Sequence, residues 1–183
     1  MRICVEGNIG SGKTTLLDML ANKGITVRPE PVSSWGNLLK LYYDDPVQWS
    51  LCFNLKVLHS FQHIPEGDVV VVERSPGTCR HVFGQLGYND QHMTAGAWEI
   101  FKEYANLLSW DPEAYVYIHT PPEVCYERMQ QRNRPGEESV TLEYLQRIDF
   151  QYQNFLRYCE RPVHTLDGTK PPAELLDEIL RLL

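Results

Sequence analysis

Residues Gly7-Asn8-Ile9-Gly10-Ser11-Gly12-Lys13-Thr14 follow the apolar run Ile3-Cys4-Val5 and precede a helical pattern carrying Leu16, Leu17 and Leu20. The octet satisfies G-x-x-x-x-G-K-[ST], and the expected strand and helix flank it. Its glycines let the backbone wrap tightly enough for successive N–H groups to point inward at phosphate oxygens. The helix that follows adds the positive end of its dipole. Lys13 supplies a point charge to the β and γ phosphates of a nucleotide, and Thr14 a hydroxyl to Mg²⁺. Read instead as a dinucleotide fingerprint the segment fails, because Lys-Thr stands where helix packing needs a small residue.

The remainder of the chain continues the alternation this loop begins. Ile25-Thr26-Val27 reads as a second strand ending near Glu30-Pro31. Asp45-Pro46 reads as a cap and first-turn proline opening a helix to about Gln62. Val69 to Val72 fits a strand buried on both faces. Thr94 opens a helix to about Leu108, and Tyr115 to Ile118 form the next strand. Thr120-Pro121-Pro122-Glu123 reads as a capping box before a helix to about Arg132. A loop at Arg134 to Glu138, a helix from Leu142 to about Arg161, a short strand at Val163 to Leu166 and a helix from Ala173 to Leu183 complete the chain. Strands alternating with helices imply an α/β fold, with a parallel sheet covered on both faces. No linker or repeat divides the 183 residues, so a single domain spanning 1–183 is expected.

Composition narrows the partners. The formal net charge is −7, which provides no general electrostatic reason to bind nucleic acid or an anionic membrane. The cysteines at 4, 52, 79, 125 and 159 are odd in number and form no Cys-x-x-Cys, so neither a disulfide framework nor a zinc site is expected. No run reaches the roughly 18 apolar residues of a membrane span. The first strand starts at Arg2, ahead of any room for a targeting peptide, so the expected compartment is the cytoplasm.

A phosphate cradle does not name the acceptor. Glu30 closes the predicted second strand at the edge where open parallel sheets bind ligands. A carboxylate there can accept a proton from a substrate hydroxyl, although alone it reads equally as a surface glutamate. Glu73-Arg74-Ser75 end the valine strand on the same edge. An acid in that position can hold Mg²⁺, directly or through water, and the arginine can clamp a phosphoryl group or a hydroxyl; a strand-terminal salt bridge is the plainer alternative. Arg128, Arg132 and Arg134 crowd one segment of an acidic chain. They suggest a lid over the transferring phosphoryl at about 132–139, or a solvated helix end. In the helix after Pro46, residues Val47, Leu51, Asn54, Leu58 and Phe61 share a spacing that makes one face apolar except for Asn54. A buried amide suits a pyrimidine edge, or a bond to backbone. Trp35, Tyr43, Phe53 and Phe83 could wall an aromatic slot.

In this order, the cradle, Glu30-Pro31-Val32 with Trp35, Tyr43, Phe53-Asn54, Glu73-Arg74-Ser75 and Arg132-Asn133-Arg134 with Glu137-Glu138 resemble the deoxynucleoside kinases, from Arg2 to about Leu166. The resemblance implies a P-loop NTPase-type three-layer fold, with a five-stranded parallel sheet and an arginine-rich lid. It implies ATP and Mg²⁺, a deoxynucleoside acceptor in nucleotide salvage, and a homodimer. It casts Glu30 as the base at the 5′-hydroxyl, Arg74 as its clamp and Glu73 as a Mg²⁺ holder. Tyr43 and Glu138 become the sugar 3′-hydroxyl contacts, Phe53, Phe83 and Trp35 the base walls, Arg132 and Arg134 the lid cations, and Asp167 with Gly168-Thr169 the ATP-base loop. Asn54 replaces the family's usual Gln. Phe61 and Cys79 stand where purine- and deoxycytidine-directed members carry an Arg and an Asp, which favours a pyrimidine, thymidine before deoxycytidine, with Phe61 crowding a 5-methyl group. The alternatives are a nucleoside monophosphate kinase, disfavoured by a carboxylate at the acceptor, and a GTPase switch, disfavoured because the Asn-Lys at 22–23 is early and lacks its Asp.

Overall fold

The computed structural model describes residues 1–134 and 137–183, and Pro135 and Gly136 of the predicted lid lie outside the described residues. The order is β1 (Arg2–Glu6), α1 (Lys13–Asn22), β2 (Thr26–Arg28), a 3-10 turn (Val32–Trp35), α2 (Leu38–Asp44), α3 (Pro46–Ser60) and β3 (Val70–Glu73). Next come α4 (Pro76–Thr78), a π-helical stretch (Cys79–Gly84), α5 (Gln85–Asn89), α6 (Ala95–Leu108) and β4 (Ala114–His119). The chain ends with α7 (Pro122–Arg132), α8 (Leu142–Arg157), β5 (Val163–Asp167) and α9 (Pro172–Leu180).

The five strands form one sheet in the order β2-β3-β1-β4-β5, with every pairing parallel. Alternation along β1 divides the layers. Ile3 and Val5 point to one face and pack with Leu16, Leu17 and Leu20 of α1 and with Leu175, Leu176 and Ile179 of α9. Cys4 points to the other face, among Val70, Val72, Tyr115 and the α8 residues Phe155 and Leu156. The three-layer α/β architecture implied by the sequence is therefore present. Because the chain leaves β1 toward β2 and β3 and later returns on its other side with β4 and β5, the carboxyl edge opens beside β1.

Most longer helices start on a side-chain cap. Asp45, Thr94 and Thr141 accept hydrogen bonds from the N–H groups of Gln48, Ala97 and Tyr144, contacts worth about 1 kcal/mol each. Two sequence expectations are corrected. Thr120 does not cap α7, whose N-terminus starts from Pro121 without a side-chain bond. Its hydroxyl instead donates to the Ser11 carbonyl, 3.3 Å away, tying β4 to the glycine loop. Val47 is not on a buried face; it is 69% exposed, and α3 buries Ser50, Phe53, Asn54, Val57 and Leu58 instead. No helix among the described residues is long and apolar enough to cross a membrane.

Candidate active site

The glycine loop follows β1 and is shaped by backbone that only glycine tolerates. Gly10 and Gly12 adopt φ of 81° and 101°, and a Cβ on Gly10 would lie 2.4 Å from the Cys125 carbonyl oxygen of α7. Asn8 is buried behind the loop, its amide donating to the Leu145 carbonyl of α8 at 2.8 Å and accepting from Ile9 N–H. Thus Asn8, Gly7 and Ser11 shape the cradle from behind, while Ile9, Gly10, Gly12, Lys13 and Thr14 line the open side. α1 starts at Gly12 with no side-chain cap, so its first N–H groups remain available to an anion. Lys13 is buried, and its Nζ donates to the carbonyls of Gly7 (3.1 Å) and Asn8 (2.7 Å). Burial, reinforced by the neighbouring Arg74, lowers its pKa to about 8.

The C-terminal ends of β2 and β3 bring the acids to this loop. The Thr14 hydroxyl lies 3.1 and 3.2 Å from the two Glu73 carboxylate oxygens, and Glu73 also accepts from the Glu30 N–H at 3.3 Å. Arg74 turns out of the strand at φ 65° and is 5% exposed. Its Nε lies 3.0 Å from Glu30 Oε1. The approach is off the line of a hydrogen bond, so this buried Nε has no aligned acceptor. Nη1 donates to the Gly7 carbonyl (3.1 Å) and to the Tyr152 hydroxyl, and the guanidinium stands 4.8 Å over the Phe83 ring. Burial opposes the Arg74 charge, but Glu30, Tyr152, Glu6 and Glu73 outweigh it and raise the pKa above the ordinary arginine value.

Cradle and acids open into one cavity of about 540 Å³. Its far half is aromatic: Trp35 meets Phe53 edge-on at 5.5 Å, and Tyr42 stacks on Phe53 at 4.8 Å. Tyr43, Asn54, Cys79 and Phe83 line it as expected, and Val57, which the sequence did not single out, lines it too. The Asn54 amide donates to the Ser50 carbonyl one turn back at 2.8 Å, so the backbone-bonded alternative holds for its nitrogen. No described residue donates to its oxygen. Phe61 is a correction: it caps the C-terminal end of α3, is 1% exposed in the core and does not reach the cavity. It cannot crowd a ligand there.

The lid residues divide. Glu137 lines the cavity and is 8% exposed, whereas Glu138 is exposed and off the cavity wall, which corrects the placement expected for Glu138. Glu137 receives Arg132 at 2.7 and 3.0 Å and faces Arg134 at 3.5 Å. Arg128 is drawn away from these two and donates to the Gly168 carbonyl at 3.0 Å. Asp167 is exposed and closes a turn onto Thr169, 2.9 Å from its N–H and 2.6 Å from its hydroxyl; it does not line the cavity.

The sequence had marked most of the residues that line this cavity, though not Leu39, Tyr42, Val57 or Tyr144. The model of the deoxynucleoside kinase family matches residues 3–178. The chain belongs to the deoxynucleoside kinase family. It is 32% identical to the thymidine kinase of Ictalurid herpesvirus 1, over 98% of this chain and 84% of that protein. It is 33% identical to human mitochondrial thymidine kinase 2, over 84% of this chain and 63% of that protein. It is 28% identical to deoxycytidine kinase 2 of Gallus gallus, over 85% and 73%. As a deoxynucleoside kinase, the chain is a phosphotransferase, and the monophosphate-kinase and GTPase alternatives are set aside.

Proposed function

We propose that this deoxynucleoside kinase transfers the γ-phosphate of ATP to the 5′-hydroxyl of a pyrimidine deoxynucleoside, thymidine first and deoxycytidine second. The observation that carries this reading is the Glu30–Arg74 pair, 3.0 Å apart where the cradle meets the aromatic half of the cavity. A carboxylate there suits an uncharged alcohol and would repel an acceptor that is already a phosphate. Glu30 accepts the hydroxyl proton as the oxygen attacks phosphorus, a contribution of roughly 10²–10⁴-fold. Lys13, Arg74 and the lid cations Arg132 and Arg134 take up charge on the transferring group, so most of the catalysis is positioning and electrostatics. The Thr14 hydroxyl and the Glu73 carboxylate present the oxygen donors Mg²⁺ prefers and would hold the ion. Such an ion would supply neutralisation of phosphate charge.

Base choice is supported by how Asn54 is held. The Asn54 amide nitrogen is held by Ser50, so its oxygen presents an acceptor alone. Thymine offers N3–H to such an acceptor, and cytosine its amino group. Trp35, which lines the same cavity, keeps its Nε1 buried without a hydrogen bond, a donor open to a ligand there. Burial pushes the Cys79 thiol up, so it stays neutral, and neither Val57 nor Cys79 supplies the charge a purine edge needs.

The homodimer is part of the same proposal. Ile100, Tyr104 and Leu107 recur along one side of α6 at 47%, 49% and 76% exposure, and Phe150 of α8 is 61% exposed; apolar patches of this kind mark protein contacts. A cytoplasmic setting is supported by five cysteines that form no disulfide. Assaying the four deoxynucleosides and thymidylate at one concentration tests the acceptor. Thymidine should turn over fastest and thymidylate not at all, and Glu30→Gln should keep ATP binding while turnover falls at least roughly 10²-fold. Preferred turnover of a purine nucleoside would overturn the base reading. Full turnover in Glu30→Gln would remove Glu30 from the reaction.

A further inference from the structure

Glu6 and Tyr152 are absent from every reading of the sequence above, yet both are fully buried beside the reacting edge. Glu6 ends β1 immediately before the glycine loop, and by alternation it faces the α8 side with Cys4. Its Oε1 accepts from the Ser75 hydroxyl at 2.7 Å, and its Oε2 from the Tyr152 hydroxyl of α8 at 3.3 Å. An arginine can only donate. The phenol oxygen therefore accepts from Arg74 Nη1, and its own proton goes to Glu6. Ser75 is fixed in turn, because its oxygen accepts from the Thr78 N–H as the cap of α4.

We infer that Glu6 and Tyr152 are positioning residues that act through Arg74, a buried Glu6–Tyr152–Arg74 relay holding the guanidinium against the glycine loop while it faces Glu30. Three things support the inference. Arg74 is placed by a left-handed backbone turn and then reaches inward, where its Nη1 has two anchors, the Gly7 carbonyl and Tyr152. Its contact with Glu30 is unaligned at Nε, so Glu30 alone does not fix its orientation. Glu6 is the carboxylate within reach of the Tyr152 hydroxyl, and leaving it buried without that donor would be costly. The relay thus ties β1, β3 and α8 to Arg74, which contacts both the cradle and the proposed base. The inference rests on the reading of Arg74 as the clamp at the transfer site.

Tyr152→Phe removes one oxygen and keeps the ring. It should lower kcat at least tenfold, since small displacements of a positioned group carry losses of up to about 10²-fold. KM for ATP and for thymidine should stay within about threefold, because neither substrate is expected to touch the phenol. The deciding measurement is a double-mutant cycle with Arg74→Lys. In that background Tyr152→Phe should change kcat less than about twofold, because the group it positions is already gone. Should Tyr152→Phe fail to fold, Glu6→Gln carries the same cycle, with an expected loss of at least about threefold in the parent and none with Arg74→Lys. Lower thermal stability with unchanged kcat would overturn the relay, as would an equal loss in both backgrounds. Unchanged kcat in Arg74→Lys by itself would instead overturn the reading of Arg74.

Discussion

The two halves of the cavity are built on different principles. The phosphate half is made of backbone: one loop of consecutive residues, glycines at φ of 81° and 101°, and the uncapped start of α1. The acceptor half is made of side chains delivered by separate elements, with Trp35 from a 3-10 turn, Tyr43 from α2, Phe53 and Asn54 from α3, Phe83 from the π-helical stretch and Glu137 from the lid. A backbone cradle recognises what all triphosphates share. A side-chain pocket can change specificity one residue at a time without disturbing the cradle. Glu30 and Arg74 stand at the seam, which is why the proposed chemistry is assigned to them.

The largest effect should come from breaking the cradle at Gly10. At φ 81°, with the Cys125 carbonyl 2.4 Å from where a Cβ would stand, alanine cannot be accommodated without moving the loop or α7. Gly10→Ala should weaken ATP binding by roughly 10²-fold or more, the scale of a misplaced set of hydrogen-bond donors. Thymidine binding, measured by calorimetry, should change by less than about threefold if the halves are independent. Equal losses for both ligands would show that the halves form one cooperative unit.

The same division explains what was legible in the sequence. The cradle, β1, β3 and β4 could be read because a contiguous motif and unbroken apolar runs carry their own context. Thr120 was misread because a threonine before two prolines has the local form of a cap, and only the fold reveals the Ser11 carbonyl above it. Phe61 was placed at the base by the resemblance, whereas the spacing that put it on a buried face holds: as the C-cap of α3 it turns into the core. The π-helical stretch Cys79–Gly84 follows no 3.6-residue period, so nothing local announced that Cys79 and Phe83 would reach the cavity together. Glu6 and Tyr152 meet across 146 positions, beyond the reach of any spacing argument. A buried acid closing an apolar strand just ahead of the cradle was the available signal.

Between Glu137 and Glu138 the sequence offered no periodicity to choose, since both lie in a loop. The structure turns Glu137 into the cavity, against Arg132 and Arg134. If the acceptor half recognises the sugar through this carboxylate, Glu137→Gln should raise KM for thymidine about tenfold, the cost of weakening a charged hydrogen bond. Glu138→Gln should stay within about twofold, as exposed positions usually do. The reverse ranking in steady-state kinetics would move the sugar contact to Glu138 and require the lid to turn on binding.

The smallest effect separates the halves by pH. Lys13 has a pKa of about 8 because burial and Arg74 disfavour its charge. The ammonium is therefore present below pH 8 and lost as pH rises through it, well before an exposed lysine would titrate. A triphosphate binds the charged form, so kcat/KM for ATP should be halved near pH 8 and then fall tenfold per unit above it, reporting the free enzyme. Triphosphate contact restores the charge, so kcat at saturating ATP should hold to higher pH. Thymidine binding to the ATP-free protein, measured by calorimetry, should show no matching step at pH 8, because Lys13 belongs to the cradle. A step of the same size in both ligands would mean that Lys13 also holds the acceptor side through Arg74, and the seam between the halves would have to be drawn elsewhere.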